Sequence, residues 1–364
     1  MFKGDEDMSI NKKSFGFMSD GREVFLYTLD NEKNVRAEIL SYGGIIRSLF
    51  VKDNKGEYRD IVLGRDTLEE YFNNEGYFGA LIGRHGNRIY RGKFNINGCE
   101  YSVTTNNNGN SLHGGMDGFD KYVWDVTEKD DMNNPTLILS ITSPDGDQGF
   151  PGNLKVNVTY TVNENDGLSI KYEALSDKDT VVNLTNHAYF NLNGVGNGNI
   201  YNLDLKMNCS FYTPNTSECM PYGEVLSVKD TPFDFTSYKK IGEDINSDYE
   251  QLSMFGGYDH NFVIDGCGFR KAIELYSEKT GILMEVFTDK PGVQMYTGNC
   301  IEEGRVCKNK ETYKIHDAIC FETQFFPNST SYKHFPSPIL RANEKYEFTT
   351  EYKFSIVNRK EVLK

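Results

Sequence analysis

Lys155-Val156-Asn157-Val158-Thr159-Tyr160 is the stretch whose pattern sets the fold class. Its odd positions are polar and its even positions apolar or aromatic, the period of two that a strand with one buried face requires. On either side of it, runs rich in Tyr, Phe, Val, Ile and Thr recur at 23–29, 36–51, 137–142, 154–162, 168–175, 273–276, 282–288 and 346–357. Gly, Asn, Asp and Pro punctuate them. Helical signals are short: 67–73, with Asp66 as the N-cap, and 237–245. So many strands with so little helix predict an all-β protein built as a large antiparallel β-sandwich.

No fixed-period repeat or long low-complexity linker divides the 364 residues. The polar stretches 106–110, 130–135, 144–152 and 193–199 are loop-sized. A single domain over 1–364 is therefore expected, with roughly the first 14 residues forming a loosely ordered extension. The formal net charge of −14 argues against a nucleic-acid partner and against adhesion to an anionic membrane. The N-terminus is charged where an export signal needs an apolar core, and no apolar run reaches membrane-spanning length. A soluble, cytoplasmic protein is the expectation. The seven cysteines are scattered without a C-x-x-C spacing, and the six histidines show no H-x-H or H-E-x-x-H. Neither a disulfide framework nor a metal site is signalled. Asn-x-Ser/Thr triplets at Asn157, Asn183, Asn215 and Asn328 would matter only in a secreted chain.

Candidate chemistry lies where polar residues interrupt the β pattern. Gly83-Arg84-His85-Gly86-Asn87-Arg88-Ile89 sets two guanidiniums beside an amide, forked donors suited to several hydroxyls of one ligand; a solvated basic turn has the same composition. In Asn110-Ser111-Leu112-His113-Gly114-Gly115, the glycines let backbone and imidazole approach a ligand closely, though they also suit a tight turn. As one strand, 183–192 would carry Asn183, Thr185, His187, Tyr189 and Asn191 on one face, resembling a site wall. The same logic pairs Asp259 with Asn261, Gln294 with Tyr296, and Glu322 with Gln324. A carboxylate flanked by apolar residues, as Glu322 is, has its pKa raised by desolvation, which suits a general base.

Taken together the motifs resemble the aldose 1-epimerase (galactose mutarotase) family. The resemblance is carried by Gly-Arg-x-x-Asn-Arg-Ile at 83–89, Asn-Ser-Leu-His-Gly-Gly at 110–115, Gly118-Phe119-Asp120-Lys121 with Trp124, and Ser143-Pro144-Asp145-Gly146 with Gly149-Phe150-Pro151-Gly152. It continues in Asn-x-Thr-Asn-His-x-Tyr-Phe-Asn-Leu at 183–192, Tyr-Asp-His-Asn-Phe-Val at 258–263, Gly-Val-Gln-x-Tyr-Thr-Gly-Asn at 292–299 and Glu322-Thr-Gln-x-Phe-Pro327. It runs in order over nearly the whole chain and implies a twisted β-sandwich, the galactose mutarotase-like supersandwich, with a sugar cleft on one face. It also implies that Glu322 is the general base and His187 the general acid, while Asn87, Arg88, His113, Asp259, Gln294 and Tyr296 hold the sugar hydroxyls. His85-Gly86 departs from the small or aliphatic residues the family often has there, which bears on the shape of the sugar-facing turn.

The implied reaction interconverts the α and β anomers of a free aldohexose, galactose or glucose. Ring opening needs a proton taken from the anomeric hydroxyl and one given to the ring oxygen; rotation about C1–C2 and the reverse transfers close the other anomer. No net electrons move, so no cofactor or metal is expected. Three rivals remain open at this point. They are a glycoside hydrolase using Asp259 and Glu322, a non-catalytic sugar-binding protein, and a hexose-6-phosphate epimerase of the same fold.

Overall fold

The computed structural model describes residues 9–72, 76–131 and 133–362. Its architecture is two-layered and almost wholly antiparallel. One layer is a nine-stranded sheet, in the order Asp125–Lys129, Thr136–Ser143, Leu154–Val162, Gly167–Ser176, Lys345–Ile356, Ile282–Thr288, Arg270–Tyr276, Asp204–Met207, Lys239–Lys240. Residues 155–160 lie in its third strand. Leu154–Val162 buries every even-numbered residue while its odd positions alternate toward solvent, as the period of two demands.

Two smaller sheets cover this layer. A five-stranded meander is formed by Ile10–Phe17, Glu23–Asp30, Val35–Leu40, Ile46–Lys52 and Tyr58–Asp60. A six-stranded sheet runs Tyr189–Phe190, Ile319–Gln324, Gly292–Tyr296, Asp259–Val263, Phe211–Thr213, Leu226–Ser227. One hydrophobic core joins all three, with Leu29 and Val35 from the meander, Tyr160 and Tyr172 from the large sheet, and Phe262, Val293 and Phe321 from the third. Buried side chains pin the layers polar atom to polar atom as well. Tyr160 Oη donates to the Gly44 carbonyl at 2.7 Å, and the Thr323 and Thr350 hydroxyls meet at 2.6 Å.

Several expectations need correction. Residues 10–14, assigned to a loose extension, are paired in the first strand of the meander, with Ile10 facing Leu29; residues 1–8 lie outside the described residues. The run 36–51 is two strands, because the chain reverses at Gly43-Gly44, both with positive φ. A Cβ on Gly43 would stand 2.4 Å from the Asp120 carbonyl oxygen, so only glycine fits that turn. The first helix, Leu68–Phe72, is capped by Thr67 rather than Asp66: Glu70 Oε2 accepts from the Thr67 and Asp66 amides while the Thr67 hydroxyl accepts from the Glu70 amide, a capping box. Asn73 lies outside the described residues. Residues 237–245 are not helical. Lys239–Lys240 pair with Asp204 and Leu205, and turns follow in which Ile241 and Ile245 are buried in the core, so tertiary pairing overrides the local signal. Among the described residues no helix is long and apolar enough to cross a membrane.

Candidate active site

The six-stranded sheet has two unlike faces. Along Ile319–Gln324 all six residues are buried; Ile319 and Phe321 enter the core, and Cys320, Glu322 and Gln324 turn the other way. Register carries this polar face across the neighbouring strands. Cys320 opposes Tyr296, Glu322 opposes Gln294, Gln294 opposes Asn261, and Tyr296 opposes Asp259. Residues that lie far apart in sequence thus form one polar ladder because the side-chain period is two on every strand.

Opposite that face the chain supplies three short segments. Ser111–Leu112 pairs with Arg88–Ile89, and the Asn87 amide donates to Nδ1 of His113 at 3.2 Å. Nδ1 is therefore an acceptor, so a neutral His113 carries its proton on Nε2. The loop before it is held by Asn106, whose side chain bonds both Leu112 and the Gly115 carbonyl. Asn87, His113 and Tyr77 all have positive φ, between 51° and 61°, a backbone conformation held by these surrounding bonds. Gly114 has no alternative: a Cβ there would lie 1.9 Å from the Gly83 carbonyl oxygen.

The third segment is the one expected as a single strand over 183–192. It is broken: Thr185–Asn186 pairs with Leu81–Ile82, and Tyr189–Phe190 pairs with Cys320 and Ile319. Between these two pairings the His187 amide donates to Ala80 and its carbonyl accepts from Gly79, which fixes the backbone beneath the imidazole. The ring lies between Tyr77, 5.9 Å away, and Tyr189, 5.0 Å away, both near-parallel to it. Asn183 and Asn191 do not reach the site. Asn183 binds the Gly86 and Phe325 backbones, and Asn191 donates to the Gly198 and Asp317 carbonyls.

Together these elements enclose a cavity of about 360 Å³, walled in part by Asn87, Arg88, His113, His187, Asp259, Tyr296 and Glu322. Seven of the eight residues expected from the sequence therefore line one space. The eighth, Gln294, stands behind it, donating through Nε2 to Asp259 Oδ1 at 2.6 Å and accepting from Gln324 at 3.1 Å. Level with Glu322 in the register, it holds Asp259, which does wall the cavity. Arg84 is also redirected. It is buried and clamps the 143–152 loop through the Ser143, Pro144, Pro151 and Gly152 carbonyls, leaving only Arg88 of that pair in the cavity. His85 is buried within the field of Lys290 and is not among the residues that wall the cavity. Tyr77 and Arg65 were not singled out from the sequence, although Gly76-Tyr77-Phe78-Gly79, two aromatics bracketed by glycines, was a usable signal.

At the centre Nε2 of His187 lies 3.5 Å from Oε1 of Glu322. Glu322 Oε2 is buried with no hydrogen-bond partner among the described residues. Burial pushes the Glu322 carboxyl well above the ordinary carboxylate range, the nearby Asp259 charge adds to this, and Arg88 opposes it. Burial likewise raises Asp259, against Arg88 and the Gln294 bond. His187 is pushed down to about 4, again by burial, and His113 well below its usual value by burial and then by His187 and Arg88. Cys320 Sγ sits 3.5 Å from His187 Nδ1. Donor atoms of His113, His187 and Glu322 fall within 4.8 Å of one another, the one trio among the described residues close enough to hold a cation. The arrangement offers a desolvated carboxylate, an imidazole in contact with it, and neutral and charged hydrogen-bond formers around a space of ligand size.

Comparison with known proteins gives the same direction. The family model for aldose 1-epimerase matches residues 26–353. A galactose mutarotase of Bos taurus is 38% identical over 351 residues, covering 96% of this chain and 99% of the relative. Among solved structures, a galactose 1-epimerase from Lactobacillus acidophilus NCFM superposes with a TM-score of 0.86 at 28% identity, covering 96% of this chain and all of that one. An aldose epimerase homologue from C. elegans gives 0.82 at 31% identity, covering 92% and 99%.

Proposed function

The chain belongs to the aldose 1-epimerase family and is an isomerase that interconverts the anomers of aldoses; from that premise we propose that Glu322 and His187 carry the proton transfers. The observation that carries this assignment is the 3.5 Å contact between two buried groups whose proton affinities are displaced in opposite directions. Burial raises the carboxyl and lowers the imidazole, which narrows the difference between the state with the proton on nitrogen and the state with it on oxygen only when the two groups face each other, as they do here. The reaction uses one base and one acid at a time. Glu322 accepts the anomeric O1 proton while a proton passes to the ring oxygen from His187, and the C1–O5 bond breaks to give the open aldehyde. After rotation about C1–C2 the transfers reverse and the ring closes on the other face. To act as the acid near neutral pH, His187 needs a carboxylate to support its charge. Burial opposes the imidazolium, and the Glu322 carboxylate, 3.5 Å from Nε2, is the group placed to support it when ionised.

The remaining wall groups fit a neutral polyhydroxyl ligand. His113 donates through Nε2, Arg88 donates from a guanidinium held by Asn107 at 3.2 Å, and Asp259 accepts. Asn87 and Tyr296 contribute further polar contacts, although the Tyr296 hydroxyl already accepts from the Cys300 amide at 2.8 Å. We read the substrate as a free hexose of the galactose or glucose type and the protein as one domain, supported by a core that runs from Ile10 to Phe354. A cytoplasmic setting without a nucleic-acid partner is supported by the charge of −14 and by cysteines that are all free. The test is polarimetry of freshly dissolved α-D-galactose and α-D-glucose with the purified protein. Acceleration over buffer is expected for both. Activity confined to glycosides, or to phosphorylated sugars, would overturn the free-hexose assignment.

A further inference from the structure

Arg65 lines the same cavity although only 4% exposed. Its guanidinium lies 4.7 Å over the Phe78 ring; Phe78 stacks on Tyr189 at 4.4 Å, and Tyr189 on His187 at 5.0 Å. Two rings therefore stand between this cation and the acid–base pair. The guanidinium is poorly satisfied. Nη1 donates to the Cys307 sulfur, a weak acceptor, and Nε finds no acceptor among the described residues. No carboxylate among them pairs with it, whereas Arg88 lies in the field of Asp259 and Glu322, and Arg305 faces Glu302 at 3.6 Å. Burying a guanidinium without an anion is costly, and the Phe78 face and the Cys307 sulfur, both weak partners, offset it only in part.

We propose that Arg65 forms an anion subsite of this cavity and that the anion is a carboxylate carried by the sugar, so that hexuronic acids are substrates beside neutral hexoses. This rests on the anomer-exchange reading above. One unpaired guanidinium matches one carboxylate charge, and its planar fork suits the two oxygens; a phosphate dianion would ask for more cations. Turning the guanidinium toward a ligand forfeits the bond to sulfur and part of the contact with the Phe78 ring, while Nε has no bond to lose.

The experiment measures anomer exchange of D-galacturonate and D-galactose by magnetisation-transfer NMR with wild type, Arg65→Gln and Arg65→Lys. The ratio of kcat/KM for galacturonate to that for galactose is expected to fall about tenfold or more in Arg65→Gln, and much less in Arg65→Lys. An unchanged ratio in Arg65→Gln would overturn the subsite, as would a parallel loss on both sugars, which marks a structural role. Wild type active on galactose but inert toward galacturonate would overturn the subsite and leave the functional reading standing, while inactivity on both would overturn the functional reading itself. Inorganic phosphate is the remaining probe. If it inhibits galactose exchange through Arg65 while the sugar ratio stays fixed, the site takes a free anion, and the substrate-borne carboxylate is wrong.

Discussion

Glu322 and Gln294 face each other across two antiparallel strands, and Gln294 holds Asp259 at 2.6 Å, so the base and one of its wall neighbours are fixed by a single polar ladder. Gln294 donates to Asp259 and accepts from Gln324, which gives it a positioning role toward Asp259. Gln294→Leu leaves a buried Asp259 oxygen unpaired and should raise KM for galactose several-fold to tenfold with a smaller change in kcat. Gln294→Glu should be worse, because it sets a second carboxylate beside Asp259. Steady-state kinetics of the two variants check this; equal kcat and KM in Gln294→Leu would remove the support role.

The acid limb of the pH profile reports the base. Glu322 must be ionised to accept a proton, and its carboxyl is raised by burial and by Asp259 and lowered by Arg88. Activity should therefore be lost on acidification at a pH above the ordinary carboxylate range. Asp259→Asn removes a raising influence and should move that limb down; Arg88→Ala removes a lowering one and should move it up. The profiles of kcat/KM in the two variants separate the limb's position from any loss of amplitude, and shifts of the same sign in both would contradict the electrostatic account.

His187→Asn should reduce kcat on the order of 10²-fold or more, since it removes the partner that delivers a proton to the ring oxygen. The groups assigned to hold the sugar, Arg88, His113 and Asp259, are untouched, so galactose binding measured by calorimetry should change far less than turnover. A variant that loses binding and turnover equally would make His187 a binding group.

Glu322 also costs stability. Its folded-state pKa is raised, so any stabilising contribution is present below the unfolded carboxylate pKa and is lost as pH rises through the folded value. At neutral pH the buried, half-unpaired carboxylate is a net burden. Glu322→Gln should therefore stabilise the protein by about 0.5–2 kcal/mol near pH 7, with the gain shrinking in acid, as active-site replacements commonly do. Denaturant unfolding at both pH values tests this; a destabilised Gln variant at neutral pH would contradict it.

Period-two alternation made the sandwich legible, because Leu154–Val162 needs only its own sequence to say which side is buried. Pairing partners were not legible. The polar face of 183–192 was visible, but nothing local says that Ala80 and Gly79 seize His187 between two sheets, leaving Asn183 and Asn191 to hold backbone elsewhere. Nor was it legible that Gln294 would bond Asp259 across the sheet. Arg84 and Arg88 look alike in sequence, and only the distant 143–152 loop decides that one is a clamp. Arg65 carried no motif, so its place in the cavity comes from tertiary packing alone, whereas Tyr77 lay in the glycine-bracketed aromatic pair at 76–79.

The most direct test of the central claim is anomer exchange of α-D-galactose by polarimetry with wild type and Glu322→Gln at matched concentration, after both are shown to be folded. Wild type should hasten the approach to equilibrium far beyond buffer, and the Gln variant should fall to within about 10⁻²–10⁻⁴ of it, because Gln keeps the shape and removes the base. A Gln variant that retains near-wild-type rate would show that Glu322 is not the base and that the proton is taken by another group.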